Sequence, residues 1–261
     1  MQIVLGAISG SLVGLTLGLV GGGGSILAVP LMVYLVGVGN PHIAIGTSAL
    51  AVAVNAGTNV LNHARAGNVK WGCAGVFALA GVLGAFGGSS LGKLMDGQKL
   101  LALFAVLMLV VAALMFRSRA NSGDASVQLS PENAPKLLAL GGLTGVFSGF
   151  FGIGGGFLVV PSLMAATRMP IIYAVGSSLV AVCAFGLTTA ANYARSGLID
   201  WPLAGVFITG GLLGGFIGAR LSSRLALQKG LLNSVFAGLI VLVASYMLYR
   251  SGALFWPALN G

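Results

Sequence analysis

The sequence predicts an all-α polytopic membrane protein made of two homologous repeats of about five hydrophobic segments each, eight to ten helices in all, with glycine-broken segments among them. Three observations carry this reading. Of 261 residues, 57% are hydrophobic and only 7% charged, where a soluble chain carries roughly 25% charge, and the mean hydropathy is +1.02. Apolar runs of near-spanning length recur along the chain. The chain is also written twice: Asn62-His63-Ala64-Arg65-Ala66-Gly67, leading to Trp71, returns as Asn192-Tyr193-Ala194-Arg195-Ser196-Gly197, leading to Trp201.

The first copy supplies apolar segments at Ile3 to Val20, Ser25 to Val38, Ile43 to Leu61, Trp71 to Leu91 and Leu100 to Phe116. The second supplies Leu137 to Phe151, Phe157 to Ala166, Ile171 to Ala191, Pro202 to Leu221 and Leu231 to Tyr249. A helix needs about 20 apolar residues to cross the hydrocarbon, so the third, fourth and fifth segments of each copy qualify as full spans and the second is short. The chain enters its first apolar run with no Lys or Arg, which reads as a membrane segment and not as a cleaved signal. Gly14, Gly18, Gly21, Gly23, Gly24 and Pro30 match Gly145, Gly149, Gly152, Gly154, Gly155 and Pro161 at a shift of 131; from Gly46 and Gly176 through Gln98-Lys99 and Gln228-Lys229 the shift is 130. Residues 1–119 are therefore read as the first transmembrane repeat, 120–136 as a cytoplasmic linker rich in polar turn residues, and 137–261 as the second repeat.

Charge sets the expected orientation. An odd number of crossings per copy inverts the second repeat, and then Arg65, Lys70, Arg117, Arg119, Lys136, Arg220, Arg224 and Lys229 share the linker side. The other side holds Lys93, Lys99, Arg195 and Arg250. Parallel repeats divide the charges more evenly, so inverted repeats fit the positive-inside rule better. The net charge of +9 is scattered over short loops and forms no stripe of the kind that binds nucleic acid.

Glycine has two uses here. Gly6, Gly10, Gly14, Gly18 and Gly22 recur every four residues, as do Gly141, Gly145 and Gly149, a spacing that lets helix backbones pack closely in lipid. The runs Gly21-Gly22-Gly23-Gly24-Ser25 and Gly152-Ile153-Gly154-Gly155-Gly156 instead break the helix. Irregular backbone at membrane depth is tolerated where it is buried in protein or lines a cavity, and a helix beginning there presents free N–H groups and a positive dipole end to an anion. Gly23, Gly24, Ser25, Gly154, Gly155 and Gly156 are accordingly candidate substrate ligands.

A polar stripe adds more candidates. Ser48, Asn55, Asn59 and Asn62 share one face of the third segment, and Ser178, Phe185, Thr189 and Asn192 the corresponding face of the eighth. Thr47 and Ser177 open the same helices. Arg65 and Arg195, each three residues beyond the paired Asn, could hold an oxyanion through a planar fork. The four acids Asp96, Asp124, Glu132 and Asp200 all fall in loops or at segment ends, which argues against a buried carboxylate relay. His42, His63, Cys73 and Cys183 form no metal or redox spacing, so neither a metal nor a cofactor is expected, and no catalytic cluster for an enzyme.

The glycine breaks followed by Pro30 and Pro161, the Gly46-Thr47-Ser48 and Gly176-Ser177-Ser178 helix starts, and the Arg65-x-Gly67 and Arg195-x-Gly197 turns before Trp71 and Trp201 resemble the TauE/SafE sulfite exporter family over nearly the whole chain. The resemblance implies a multi-pass permease of the prokaryotic inner membrane, working as an exporter of small sulfur-containing anions such as sulfite, thiosulfate or organosulfonates. Alternating access around an anion site at the repeat interface is the expected mode; a passive anion channel and an integral membrane enzyme are the alternatives. The expected partners are the small anionic substrate and the lipid bilayer, with a homo-oligomer left open by the sequence.

Overall fold

The computed structural model describes residues 1–117, 124–225, 238 and 240–250. Arg119, Lys229 and the opening of the last segment at Leu231 lie outside them. Among the described residues every regular element is a helix. They are α1 (Gln2–Val20), α2, α3 (Pro41–Arg65), α4 (Trp71–Leu94), α5 (Gly97–Arg117), α6 (Ala134–Phe151), α7 (Gly156–Thr167), α8 (Ile171–Ala194), α9 (Trp201–Leu225) and α10 (Ile240–Arg250). The second, α2, is composite: a 3-10 stretch (Gly21–Leu27), one α turn (Ala28–Pro30) and a π segment (Leu31–Leu35).

Among the described residues six helices, α1, α3, α4, α6, α8 and α9, are long and apolar enough to cross a membrane. The first segment of each copy thus joins the full spans, and α5 runs 21 residues. The second segments are short as expected, α7 running 12 residues.

Local chemistry sets the helix ends. Asn40 caps α3 by accepting the His42 N–H at 2.9 Å, with Pro41 in the first turn. At the other end Asn68 N–H returns to His63 O at 2.9 Å across Gly67, whose φ is +70°. The end of α8 does the same, with Leu198 N–H to Tyr193 O at 3.0 Å across Gly197, φ +67°. These are Schellman closures, which need a left-handed residue just past the helix. The duplicated Arg-x-Gly motif is therefore, at its glycine, a helix stop.

Helix directions follow from contacts at the ends of α3 and α8. Thr47, near the start of α3, accepts the Asp200 N–H at 3.0 Å, and Ser177, near the start of α8, accepts the Lys70 N–H at 2.9 Å. The start of each helix meets the turn after the end of the other, so the two are antiparallel. The window of α3 is 67% buried against 39% for α1, α4 and α6, which puts α3 at the centre. On one face lie the α3–α4 turn, the linker and the end of α7: Lys70 Nζ donates to Ala125 O at 2.7 Å and Asp124 N–H to Arg168 O at 3.0 Å. Arg168 thus adds to the positive charge of that face. Asp124 accepts from the Ser126 hydroxyl and N–H, which hold its carboxyl below the usual range.

The flanking helices pack as parallel pairs, α1 with α9 and α4 with α6. A Cβ on Gly10 would meet the backbone of Phe207, and one on Gly14 that of Gly211. In the other pair Gly141 faces Phe77, Gly145 faces Gly81 and Gly149 faces Ala85. Backbone lies against backbone, a separation that only small residues allow. We therefore expect Gly145→Leu to lower folded yield and thermal stability, at a cost of about 3 kcal/mol from overpacking. Gly75→Ala, where a Cβ meets nothing within 4 Å, should leave both unchanged or slightly raised; equal behaviour of the two in a melting assay would contradict the seam.

Candidate functional site

The second glycine break carries three left-handed glycines within four residues. Gly152 ends α6 with φ +66°, and Gly154 and Gly155, also at +66°, carry the chain into α7 with Gly155 as its N-cap. A non-glycine residue is strained in that left-handed region. The break is enclosed by the central helices. A Cβ on Gly154 would sit 3.0 Å from Val52 Cγ1 of α3 and 3.1 Å from Val182 Cγ1 of α8, which places it between the middles of these antiparallel helices. The first break differs: only Gly21 is left-handed, at φ +69°, and the chain winds on as the 3-10 part of α2.

Beside Gly155 stands Ser148 of α6. A Cβ on Gly155 would lie 2.9 Å from the Ser148 hydroxyl oxygen, which is fully buried and has no hydrogen-bond partner within the protein. An unpartnered buried hydroxyl costs about 1 to 3 kcal/mol. The first N–H groups of a helix likewise lack intrahelical acceptors. The break thus brings together donors and a positive helix end in a closed setting, the chemistry that holds an oxyanion. One turn earlier, Thr144 Oγ1 and Ser162 Oγ are 3.1 Å apart and tie α6 to α7.

The sequence candidates divide into several groups. Gly23, Gly24, Ser25, Gly154, Gly155 and Gly156 are buried at the two breaks. Asn55 and Asn59 face α9: a Cβ on Gly211 would overlap the Asn55 amide, and one on Gly215 would lie 3.1 Å from Asn59 Nδ2. Asn59 Nδ2 donates to Asn55 O at 3.0 Å, whereas the fully buried Asn55 amide has no partner. In the other copy Phe185 packs against Phe77, with ring centroids 6.2 Å apart, and the next position, Thr189, has a buried hydroxyl without a partner. The polar face is therefore denser in α3 than in α8.

Ser48 and Ser178 bond back to Ile45 O and Val175 O of their own helices. Thr47 and Ser177 hold the loop contacts already described. Asn192 is buried and donates to Ser89 and Ser90 hydroxyls at 2.7 and 3.0 Å. Asn62, Arg65 and Arg195 are exposed. Because α3 and α8 run antiparallel over about 36 Å, Arg65 and Arg195 lie at opposite faces and do not converge. Residues that sequence reasoning passed over are Ser148, whose counterpart in the first copy is Leu17, and Lys93, which was read for topology alone. Two surface clefts, one lined by Met95, Lys99 and Leu103 and another by Lys70, Trp71 and Gln128, include no residue of the break.

The separation expected between packing and binding glycines does not hold at Gly24 or Gly155. A Cβ on Gly24 would strike the α1 backbone at Thr16 and Leu17, and one on Gly155 would lie 2.6 Å from Ser148 Cβ. Gly155→Val should therefore remove folding and transport together. Ser148→Ala is the discriminating change: removing an unpartnered hydroxyl should leave the melting temperature unchanged or raised, while anion affinity falls about tenfold or more with the loss of a donor to a charged group. Unchanged affinity in Ser148→Ala would remove the hydroxyl from the site.

A family model described as sulfite exporter TauE/SafE matches residues 6–247. A probable membrane transporter protein of Xylella fastidiosa (strain 9a5c) is 56% identical over 246 residues, covering 94% of both chains. The probable membrane transporter protein YunE of Bacillus subtilis (strain 168) is 25% identical, covering 95% of this chain and 96% of its own. A probable membrane transporter protein of Haemophilus influenzae is 30% identical over 203 residues, covering 75% of each. No solved structure matches.

Proposed function

Because the chain belongs to the TauE/SafE sulfite exporter family, whose members are membrane transporters and not enzymes, we propose that it carries small sulfur-containing anions, such as sulfite, thiosulfate or organosulfonates, across the prokaryotic inner membrane, most readily as an exporter. The observation that carries this reading is the break at Gly154, Gly155 and Gly156, where the start of α7 and the unpartnered Ser148 hydroxyl lie between the middles of α3 and α8. Buried N–H and O–H donors without a nearby carboxylate suit a sulfur oxyanion. Gly23, Gly24 and Ser25 form the corresponding break in the first copy. Asn55, Asn59 and Thr189 extend the polar surface along α3 and α8, and Arg65 and Arg195 receive the anion at opposite mouths.

Alternating access between inverted repeats is the mode we propose. The support is that contacts recur in matched form at the shift seen in the sequence. Gly10 with Phe207 has its counterpart in Gly141 with Phe77, Gly14 with Gly211 in Gly145 with Gly81, and Thr47 with Asp200 in Ser177 with Lys70. The matched helices α3 and α8 run in opposite directions, as inversion requires. With Arg65, Lys70, Lys136 and Arg168 on the linker face, the positive-inside rule puts the linker in the cytoplasm.

The test is counterflow in proteoliposomes. Saturable sulfite or thiosulfate uptake, accelerated by the same anion on the opposite side, is expected; non-saturating flux without trans-stimulation would make the protein a channel. Arg65→Lys and Arg195→Lys should each impair transport from one side about tenfold, since Lys keeps the charge and loses the bidentate fork. Arg119→Lys, next to the linker in sequence, should behave as wild type. Full activity of both membrane-face variants would remove the arginines from the pathway.

A further inference from the structure

At the face opposite the linker, the end of α4 grips the end of α8 through a cluster that the transport reading leaves unused. Lys93 Nζ gives its three protons to Asn192 O at 3.1 Å, Asn192 Oδ1 at 2.8 Å and Ser196 Oγ at 2.9 Å. All three acceptors are neutral, so the ammonium charge is held in place without being cancelled. Arg195, whose charge acts on it, is also positive. The acids of this face hold backbone N–H groups at the starts of α5 and α9. Asp96 Oδ1 accepts the Gln98 and Lys99 N–H groups, and Asp200 Oδ1 accepts the Leu203 N–H.

The surroundings carry further unspent polarity. The Tyr193 ring lies 5.9 Å from Lys93 Nζ, and its hydroxyl is fully buried without a partner. The His42 ring is 6.3 Å from that of Tyr193; its Nε2 meets Met95 O at 3.1 Å, while its Nδ1 has no partner. Ser196 accepts from Lys93 and donates only a 3.5 Å bond to Asn192 O. Like charges held near one another cost electrostatic energy that an anion would recover.

We propose that Arg195, Ser196 and Lys93 form an oxyanion-binding site at the mouth opposite the linker, separate from the break at α7. Arg195 holds the anion through its fork, the Ser196 hydroxyl donates to it, and Lys93 is a positioning residue that fixes the turn and supplies field. The site is one-sided by sequence, because Lys93 has Ser223 as its counterpart and Ser90 has Arg220. For its ligand class the inference rests on the anion-transport reading. The shared chemistry is an oxyanion, which can come from a free sulfur anion or from an anionic phospholipid headgroup.

The test is equilibrium binding of radiolabelled sulfate to the purified protein in phosphatidylcholine nanodiscs, with counterflow measured on the same preparation. Wild type should bind sulfate, with the dissociation constant raised about tenfold or more in Arg195→Gln and in Lys93→Met. Lys93→Arg should restore most of the affinity, and Lys99→Gln, an exposed lysine on the same face, should change nothing. Because Arg195 is exposed, its variant keeps the test valid if Lys93→Met folds poorly. Sulfate displaced by phosphatidylglycerol added to the discs would identify the resident oxyanion as a lipid headgroup and support the site. Wild-type affinity in Arg195→Gln, loss of binding in Ser148→Ala alone, or no sulfate binding by wild type would overturn it. Arg195-dependent binding without counterflow would leave the site standing and reject the carrier reading instead.

Discussion

Everything in this fold depends on one constraint: at membrane depth each backbone N–H and C=O must find a partner inside the protein. Two glycine breaks interrupt the regular α-helices, and the rest of the bundle encloses them. The second break lies between α3 and α8, the helices with the greatest share of buried surface. The parallel seams of α1 with α9 and of α4 with α6 close the sides, backbone against backbone. Dense glycine thus serves two opposed purposes, bringing helices together at the seams and interrupting them at the centre. At Gly155 and Gly24 both purposes meet, since each is as tightly enclosed as a seam glycine.

Antiparallel α3 and α8 explain why identical motifs end at different places. The Asn-x-x-Arg-x-Gly turn is written twice, yet Asn62 is exposed and Asn192 is gripped by Ser89, Ser90 and Lys93. What is conserved between the copies is backbone geometry, the left-handed glycine that stops the helix and the hydroxyl of Thr47 or Ser177 that receives the opposite turn. What differs is the side chain around it, and such differences make the two faces chemically unlike.

The helical class, the multi-pass character and the short second segments were legible in the sequence because hydropathy and glycine runs are local signals. The family was legible from the order of those signals in both halves. Ser148 was not, because it is a lone hydroxyl in a glycine-rich helix and only the fold brings it to Gly155. Lys93 was hidden for the same reason, as its partners lie about 100 residues away in the chain. The stripe of α3 was read correctly as one face, but nothing local indicated that Asn55 and Asn59 would meet the glycines of α9. Spacing also could not reveal that the two arginines point to opposite membrane faces, since that depends on the direction of α8.

The central claim, that an anion is held where the start of α7 meets Ser148, is tested most directly by locating selenate in crystals of the protein by its anomalous scattering. A peak is expected within hydrogen-bonding distance of the Ser148 hydroxyl and the N–H groups around Gly155 and Gly156. Selenate found only at the membrane faces, with none at the break under saturating conditions, would contradict it.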